Sequence, residues 1–268
     1  MKSILAFVVC LSLIIIAPNE SISSEGISCW FPPSYSKKIE KAERITSALS
    51  EKSGIQVTPR IAKSYPEILT SFATGENNLL YVGSFVQAII KARGLGVPLV
   101  QSVNGRELYS GIMIFPKDKD PLEILENSSS QIAYAIGASS GESTAKAATN
   151  GKASIGTNSH TASVDAVKSG EAKAAIIKNW WWEDNKDKYP EMQSYNVPTC
   201  SKVGNPDNVL TASHALSKEQ REKITLAAMK SKAAFGADEV RIFHDETLMF
   251  SLWLMKKGGI DPITYSWQ

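Results

Sequence analysis

Cysteine and histidine are scarce in this chain of 268 residues, with three of each, and the net charge is only +2. So few cysteines exclude a disulfide scaffold. Three histidines without an H-E-x-x-H or C-x-x-C spacing leave little for a metal centre. Balanced charge lacks the basic footprint of a general nucleic-acid binder. Internal repeats and low-complexity stretches are missing too, and 17 glycines with 12 prolines are ordinary for a globular chain. No apolar run reaches the roughly 20 residues that span a bilayer.

What is present starts with Lys2 and a nearly unbroken apolar run from Ile4 to Ala17. Pro18, Asn19 and Glu20 end it, and Ser21-Ile22-Ser23 places small residues at −3 and −1 of a cleavage site. This is the layout of a secretory signal peptide over residues 1–23, and it predicts an exported, periplasmic protein beginning near Ser24. Cys10 lies within the run with no small residues before it, so a lipoprotein site is not expected. The remaining pair, Cys29 and Cys200, is a candidate disulfide in an oxidising compartment. The alternative is two buried thiols packing as small hydrophobes.

The body alternates strand-like and helix-like segments. Ile27 to Phe31 reads as a strand, and Ile39, Ala42, Ile45 and Leu49 recur at helical spacing before Gly54. Ile55–Ile61, Leu79–Val82 and Val97–Val103 read as further strands, with helices over Tyr65–Thr74 and from Phe85 to Ala92, the latter capped by Ser84. Leu108–Phe115 is strand-like, and a second unit follows with strands at Ile132–Ile136 and Ala172–Ile177 and helices at Ser143–Thr149 and Thr161–Lys168. Val209–Ser213 is a strand, and helices run from Lys218 towards Ala234 and from Glu246 to Met255. Strands separated by helices predict parallel sheets, which bind ligands at their carboxyl ends. Polar breaks near residues 117 and 202 favour two α/β lobes.

The segment from Ile132 to Ser143 is a strand, a small-residue turn and a helix start. Free N–H groups there, helped by Ser139, Ser140 and Ser143 and by close approach at Gly141, suit an anion. A plain serine cap is the other reading. Gly137-Ala138-Ser139-Ser140-Gly141 also fits the G-x-S-x-G nucleophile elbow. A serine hydrolase using Ser139 would then need His214 or His244, with Asp207 or Asp238 before it. His160 precedes another helix, where its imidazole could donate to an anion or merely cap. Trp180-Trp181-Trp182 cannot all face one way. Core and interlobe packing is expected for most of them, with one at a hinge or cleft wall and their role left open. Trp30, Phe31 and Tyr35 follow the first strand, where a ligand-facing loop would lie.

Several of these segments stand in a familiar order. Phe31-Pro32, Leu79 to Gly83, Tyr109-Ser110-Gly111, Ala138 to Gly141, Ser159 to Ser163, Val167 to Ala175 and Asn205 to Leu210 succeed one another. The series resembles the phosphate/phosphite/phosphonate-binding family of periplasmic substrate-binding proteins of ABC transporters, from about Ile27 to about Thr225. The resemblance implies an α/β, two-lobed type II periplasmic-binding-protein fold, its lobes joined by a two-stranded hinge. It places lobe 1 at residues 24–108 and 202–268 and lobe 2 at 109–201. It also implies an oxyanion held by Ser139, Ser140, Gly141, Ser143 and His160, with Tyr35, Ser84, Phe85 and Tyr109 facing it.

Two departures bear on the ligand. The family's phosphonate binders usually carry an acidic residue that holds a ligand amine, where this chain has Lys178-Asn179-Trp180. That disfavours an aminophosphonate, and Asn179 and Trp180 become candidate contacts. Ser84-Phe85 replaces the usual proline-aromatic pair, and a serine stands for the threonine of the turn. The expectation is a monomeric solute-binding protein, without cofactor, metal or chemical step, delivering a small phosphorus oxyanion or phosphonate to a membrane permease. Neutral donors would make its affinity weakly salt-dependent. A larger or more apolar ligand, a sensor role towards a partner protein and the hydrolase remain alternatives.

Overall fold

The computed structural model describes residues 26–137 and 140–267. The leader with Cys10, and Ala138 and Ser139 of the anion turn, lie outside the described residues. In chain order the first half supplies β1 (Ile27–Phe31), α1 (Ile39–Ser53), β2 (Val57–Ile61), α2 (Tyr65–Ala73), β3 (Asn78–Val82), α3 (Ser84–Arg93) and β4 (Gly96–Val103). The chain crosses over through β5 (Leu108–Tyr109) into β6 (Gly111–Pro116), α4 (Pro121–Asn127), β7 (Ile132–Ala135), α5 (Ser140–Ala148) and β8 (Ile155–Thr157). Then come α6 (His160–Lys168), β9 (Ala174–Lys178), α7 (Asn179–Asn185) and β10 (Met192–Tyr195). It returns through β11 (Asn205–Pro206) to β12 (Val209–Ser213), α8 (Lys218–Met229), α9 (Lys232–Phe235), β13 (Glu239–Ile242) and α10 (Met249–Lys257).

Two mixed sheets organise these elements. The first has the order β13-β4-β12-β3-β1-β2, the second β10-β6-β9-β7-β8, and β5 pairs with β11 in a ribbon between them. Parallel pairing, expected throughout, holds for β1 with β2 and β3, and for β7 with β8 and β9. β12 and β13 in the first sheet, and β6 and β10 in the second, run antiparallel to their neighbours. The reason is connectivity: β12 comes directly off the ribbon rather than through a helical crossover, so nothing imposes a parallel run.

Local chemistry sets the boundaries. α1 stops at Gly54, whose left-handed conformation returns its N–H to the Ser50 carbonyl. α8 opens with a capping box between Ser217 and Gln220 and stops at Met229, so the long helix expected to Ala234 is two. Ser84 is the first residue of α3 rather than its cap, a place taken by Gly83. All five residues of β3 and all four of β7 are buried, as befits strands covered on both faces.

The cysteine expectation is overturned. Cys29 and Cys200 are both buried free thiols. Cys29 packs in the core on one face of the first sheet, and Cys200 in a core of the second. Alternation in β1 turns Ile27, Cys29 and Phe31 into that core, away from the second half. Burial pushes the Cys29 thiol far above its ordinary range. α10 contacts both halves: Leu254 enters a core of the second sheet and the adjacent Met255 one of the first. Among the described residues no helix is long and apolar enough to cross a membrane.

Candidate functional site

Three helix starts and the crossover strand meet between the sheets. β3 passes through Gly83 into Ser84 on the first turn of α3. β7 leads through a turn to Ser140 at the start of α5, and β8 leads to α6, where Ser159 caps by accepting from the Ala162 N–H and leaves His160 first in the helix. From β5, the buried Tyr109 hydroxyl accepts the Ser140 backbone N–H at 3.0 Å. The same hydroxyl shares a 2.7 Å hydrogen bond with Ser84 Oγ. One phenol therefore ties a helix start from each half.

A cleft of about 660 Å³ opens beside this junction. Pro33, Ser34, Tyr65 and Gly83 line it from the first half, Asn158 to Thr161, Lys178 and Trp181 from the second, and Tyr109 and Asp207 from the crossing segments. Ser140 Oγ and Thr144 Oγ1 on α5 are buried without a hydrogen-bond partner among the described residues. Ser143 Oγ donates to the Ser140 carbonyl. Lys37 and Lys38 add positive charge at the rim, so the site is more basic than an array of neutral donors.

Lys178, at the end of β9, occupies an unusual place. Its Nζ lies 2.8 Å from Asp207 Oδ1, 4.4 Å from the Tyr109 ring centre and 4.2 Å from that of Trp180. The Lys178 side chain is only 16% exposed. Asp207 and Asn208 line both the cleft and a neighbouring cavity of about 390 Å³, whose wall includes Trp180 and Asp184.

Burial, assisted by the Lys178 ammonium, pulls the His160 ring down to about 4. The Trp181 ring faces it at 6.1 Å. A depressed histidine pKa means the unfolded chain takes up the proton first. The neutral ring therefore contributes stability that is complete above 6.5 and lost as pH falls towards about 4. Urea unfolding across that window should show a steeper acid loss for the wild type than for His160→Gln; equal slopes would contradict this environment.

The final segment braces the anion turn from the first half. Arg93 of α3 donates to the carbonyls of Pro262 and Tyr265. The Tyr265 hydroxyl donates to both oxygens of buried Glu142, at 2.9 and 3.1 Å, and Glu142 Oε2 accepts the Gly137 N–H at 2.7 Å. Burial raises the Glu142 carboxyl above its ordinary range, against the pull of these donors. Trp267 stacks on Tyr65 at 6.1 Å and lies directly over Gly137.

Of the residues expected at the ligand, Tyr109 and His160 line the cleft; Ser84 and Ser140 are tied to the Tyr109 hydroxyl, and, with Gly141 and Ser143, they are buried and do not line it. Phe31, Tyr35 and Phe85 do not line it either. Phe31 and Tyr35 pack on each other and on Tyr81 in the first core, because a 3₁₀ turn after β1 folds Tyr35 inward. Phe85 is buried against Tyr265. Asn179 Oδ1 is held by the Ser110 N–H at the crossover. The tryptophans separate on α7: Trp180 lines the smaller cavity, Trp181 the cleft, and Trp182 is buried beside Tyr189. The sequence reading did not single out Lys178, Tyr65 or Trp267 as parts of this site, and it named Asp207 only as a possible acid of a hydrolase, not as the partner of Lys178. His214 and His244 lie towards the amino-terminal end of β4, as the pairings of Ser213 with Gly96 and Phe243 with Leu99 require. Neither lines the cleft. Among the described residues no cluster of histidine, cysteine, aspartate or glutamate could hold a metal ion.

Two mixed sheets, a two-stranded crossing ribbon and a cleft fed by helix starts from both halves define a type II solute-binding protein. A family model described as "ABC transporter, phosphonate, periplasmic substrate-binding protein" matches residues 30–256, and the chain belongs to that family. Solved structures share the fold at low identity. A binding-protein component of a Pseudomonas aeruginosa phosphonate ABC transporter is 17% identical with a TM-score of 0.63, each chain being 87% covered. A Prochlorococcus marinus protein in complex with methylphosphonate is 15% identical with a TM-score of 0.66, covering 86% of this chain and 97% of that one. A Xanthomonas citri protein bound to ATP is 12% identical with a TM-score of 0.66, at 87% and 97% coverage. No curated protein sequence matches the chain.

Proposed function

We propose that this chain captures a small phosphorus oxyanion or phosphonate in the cleft and delivers it, without a chemical step, to a membrane permease. The observation that carries this is the start of α5, where Ser140 Oγ is buried without a partner and its N–H is fixed by the Tyr109 hydroxyl. A helix start with a spare buried hydroxyl suits an anion. Ser139, next to Ser140 in the sequence, lies outside the described residues, and His160 approaches from α6. The segments 24–108 with 202–268 and 109–201 serve as the two lobes of a monomer, and closure about the β5–β11 ribbon adds contacts available only in the closed state. Residues 1–23 act as the cleavable leader that takes it to the periplasm.

Calorimetric titration with phosphate, phosphite and methylphosphonate tests the reading. At least one should bind, and His160→Ala should weaken it about 10- to 100-fold, the worth of a hydrogen bond to a charged group. Binding should also weaken with salt, since Lys37, Lys38 and Lys178 all line the cleft. No binding by any of the three, with no effect of His160→Ala on any ligand, overturns it. The cleft volume and the faces of Trp181 and Tyr65 favour a second reading, a phosphate ester with an apolar or aromatic part. Including ATP in the panel separates the two.

A further inference from the structure

The Lys178 ammonium has the surroundings of a bound ligand cation. Two aromatic faces, Tyr109 and Trp180, lie 4.4 and 4.2 Å from it, and a carboxylate, Asp207, accepts its hydrogen bond at 2.8 Å. Aromatic faces around a desolvated ammonium, closed by a carboxylate, are a general recognition device for organic cations. Here all three walls are present and the occupant is covalently part of the chain. We propose that Lys178 fills a cation box built from Tyr109, Trp180 and Asp207, so that the cleft excludes ligands carrying an ammonium group and selects those whose organic part is uncharged.

This rests on the oxyanion reading for the ligand's other end and adds what sets its organic part. Position supports it. Tyr109 holds the Ser140 N–H through its hydroxyl while its ring faces Lys178, so the box adjoins the anion turn. A phosphonate with a short amine-bearing chain would reach from one to the other. With Lys178 in place, such an amine meets a like charge and a carboxylate already paired. Asp207 also borders the smaller cavity behind, so shortening Lys178 would open the box towards further space.

The test compares wild type, Lys178→Ala and Lys178→Met, each verified as folded by its thermal melt. Methylphosphonate and 2-aminoethylphosphonate are titrated by calorimetry. Tetramethylammonium chloride is titrated separately by tryptophan fluorescence, with sodium chloride as the ionic-strength control. Wild type should prefer methylphosphonate by about tenfold or more, and Lys178→Ala should shift that ratio at least about tenfold towards the amine, in line with a recovered cation–aromatic contact. Lys178→Ala should also gain a saturable response to tetramethylammonium that wild type lacks. Lys178→Met keeps the box filled with an uncharged stem and should gain none. If neither phosphonate binds wild type, a phosphonate ligand is ruled out, and the tetramethylammonium titration still decides this proposal. A wild type that prefers the aminophosphonate, a Lys178→Ala variant without the cation response, or an equal gain in Lys178→Met overturns the proposal.

Discussion

Tyr109→Phe is expected to lower the unfolding free energy by about 2–6 kcal/mol, although it removes a single oxygen atom. That oxygen accepts the Ser140 N–H and is hydrogen-bonded to Ser84 Oγ, and all three residues are buried. Phenylalanine leaves two buried polar groups without partners, and each such group costs about 1–3 kcal/mol. The ring itself stays, so the aromatic contact with Trp180 at 5.8 Å is retained and the loss isolates the hydroxyl. Urea denaturation of Tyr109→Phe, Ser84→Ala and the double variant forms a cycle. In the Ser84→Ala background the tyrosine substitution should cost measurably less. A single-variant loss below about 0.5 kcal/mol, the size of a neutral surface change, would show that the hydroxyl does not join the two helix starts.

Gly137→Ala is expected to cost about 3–5 kcal/mol, combining a left-handed backbone penalty with the expulsion of an aromatic side chain. Gly137 has φ +60°, and a Cβ there would overlap Trp267 Nε1. The indole must leave its stack on Tyr65, and the anion turn loses its brace. Trp267→Ala creates the missing room. In that background Gly137→Ala should cost only the backbone strain, about 1–2 kcal/mol. Thermal or urea unfolding of the two single variants and the pair provides the numbers. Equal costs of Gly137→Ala with and without Trp267 would place the indole elsewhere.

The parts of the site built from local chemistry were legible in the sequence. Ser140 and His160 announce themselves because strand, small-residue turn and helix start follow one another within a dozen residues. Partnerships across the ribbon were not. Lys178 and Asp207 are 29 residues apart, and a lysine beside three tryptophans does not reveal which carboxylate it will meet. Aromatic residues near a helix start have two fates, cleft or core, and only packing decides. Phe31, Tyr35 and Phe85 went to the core, whereas Tyr65, at the head of α2, went to the cleft. The mixed character of both sheets was hidden for a related reason: helical spacing between strands fixes direction only where the chain actually crosses over.

The strand order of the first sheet has a consequence for the timing of folding. β12, which appears after residue 208, sits between β3 and β4, and β13 closes the edge beyond β4. As the chain is made, β3 and β4 therefore wait for more than a hundred intervening residues before either meets the strand that joins them. The second sheet, by contrast, is assembled from one continuous stretch and can form while its partner is still incomplete. Such non-local pairing is slow, because loop closure must come before the contacts that reward it. Until β12 arrives, the apolar flanks of β3 and β4 are open edges. A late central strand is thus a timer written into the topology.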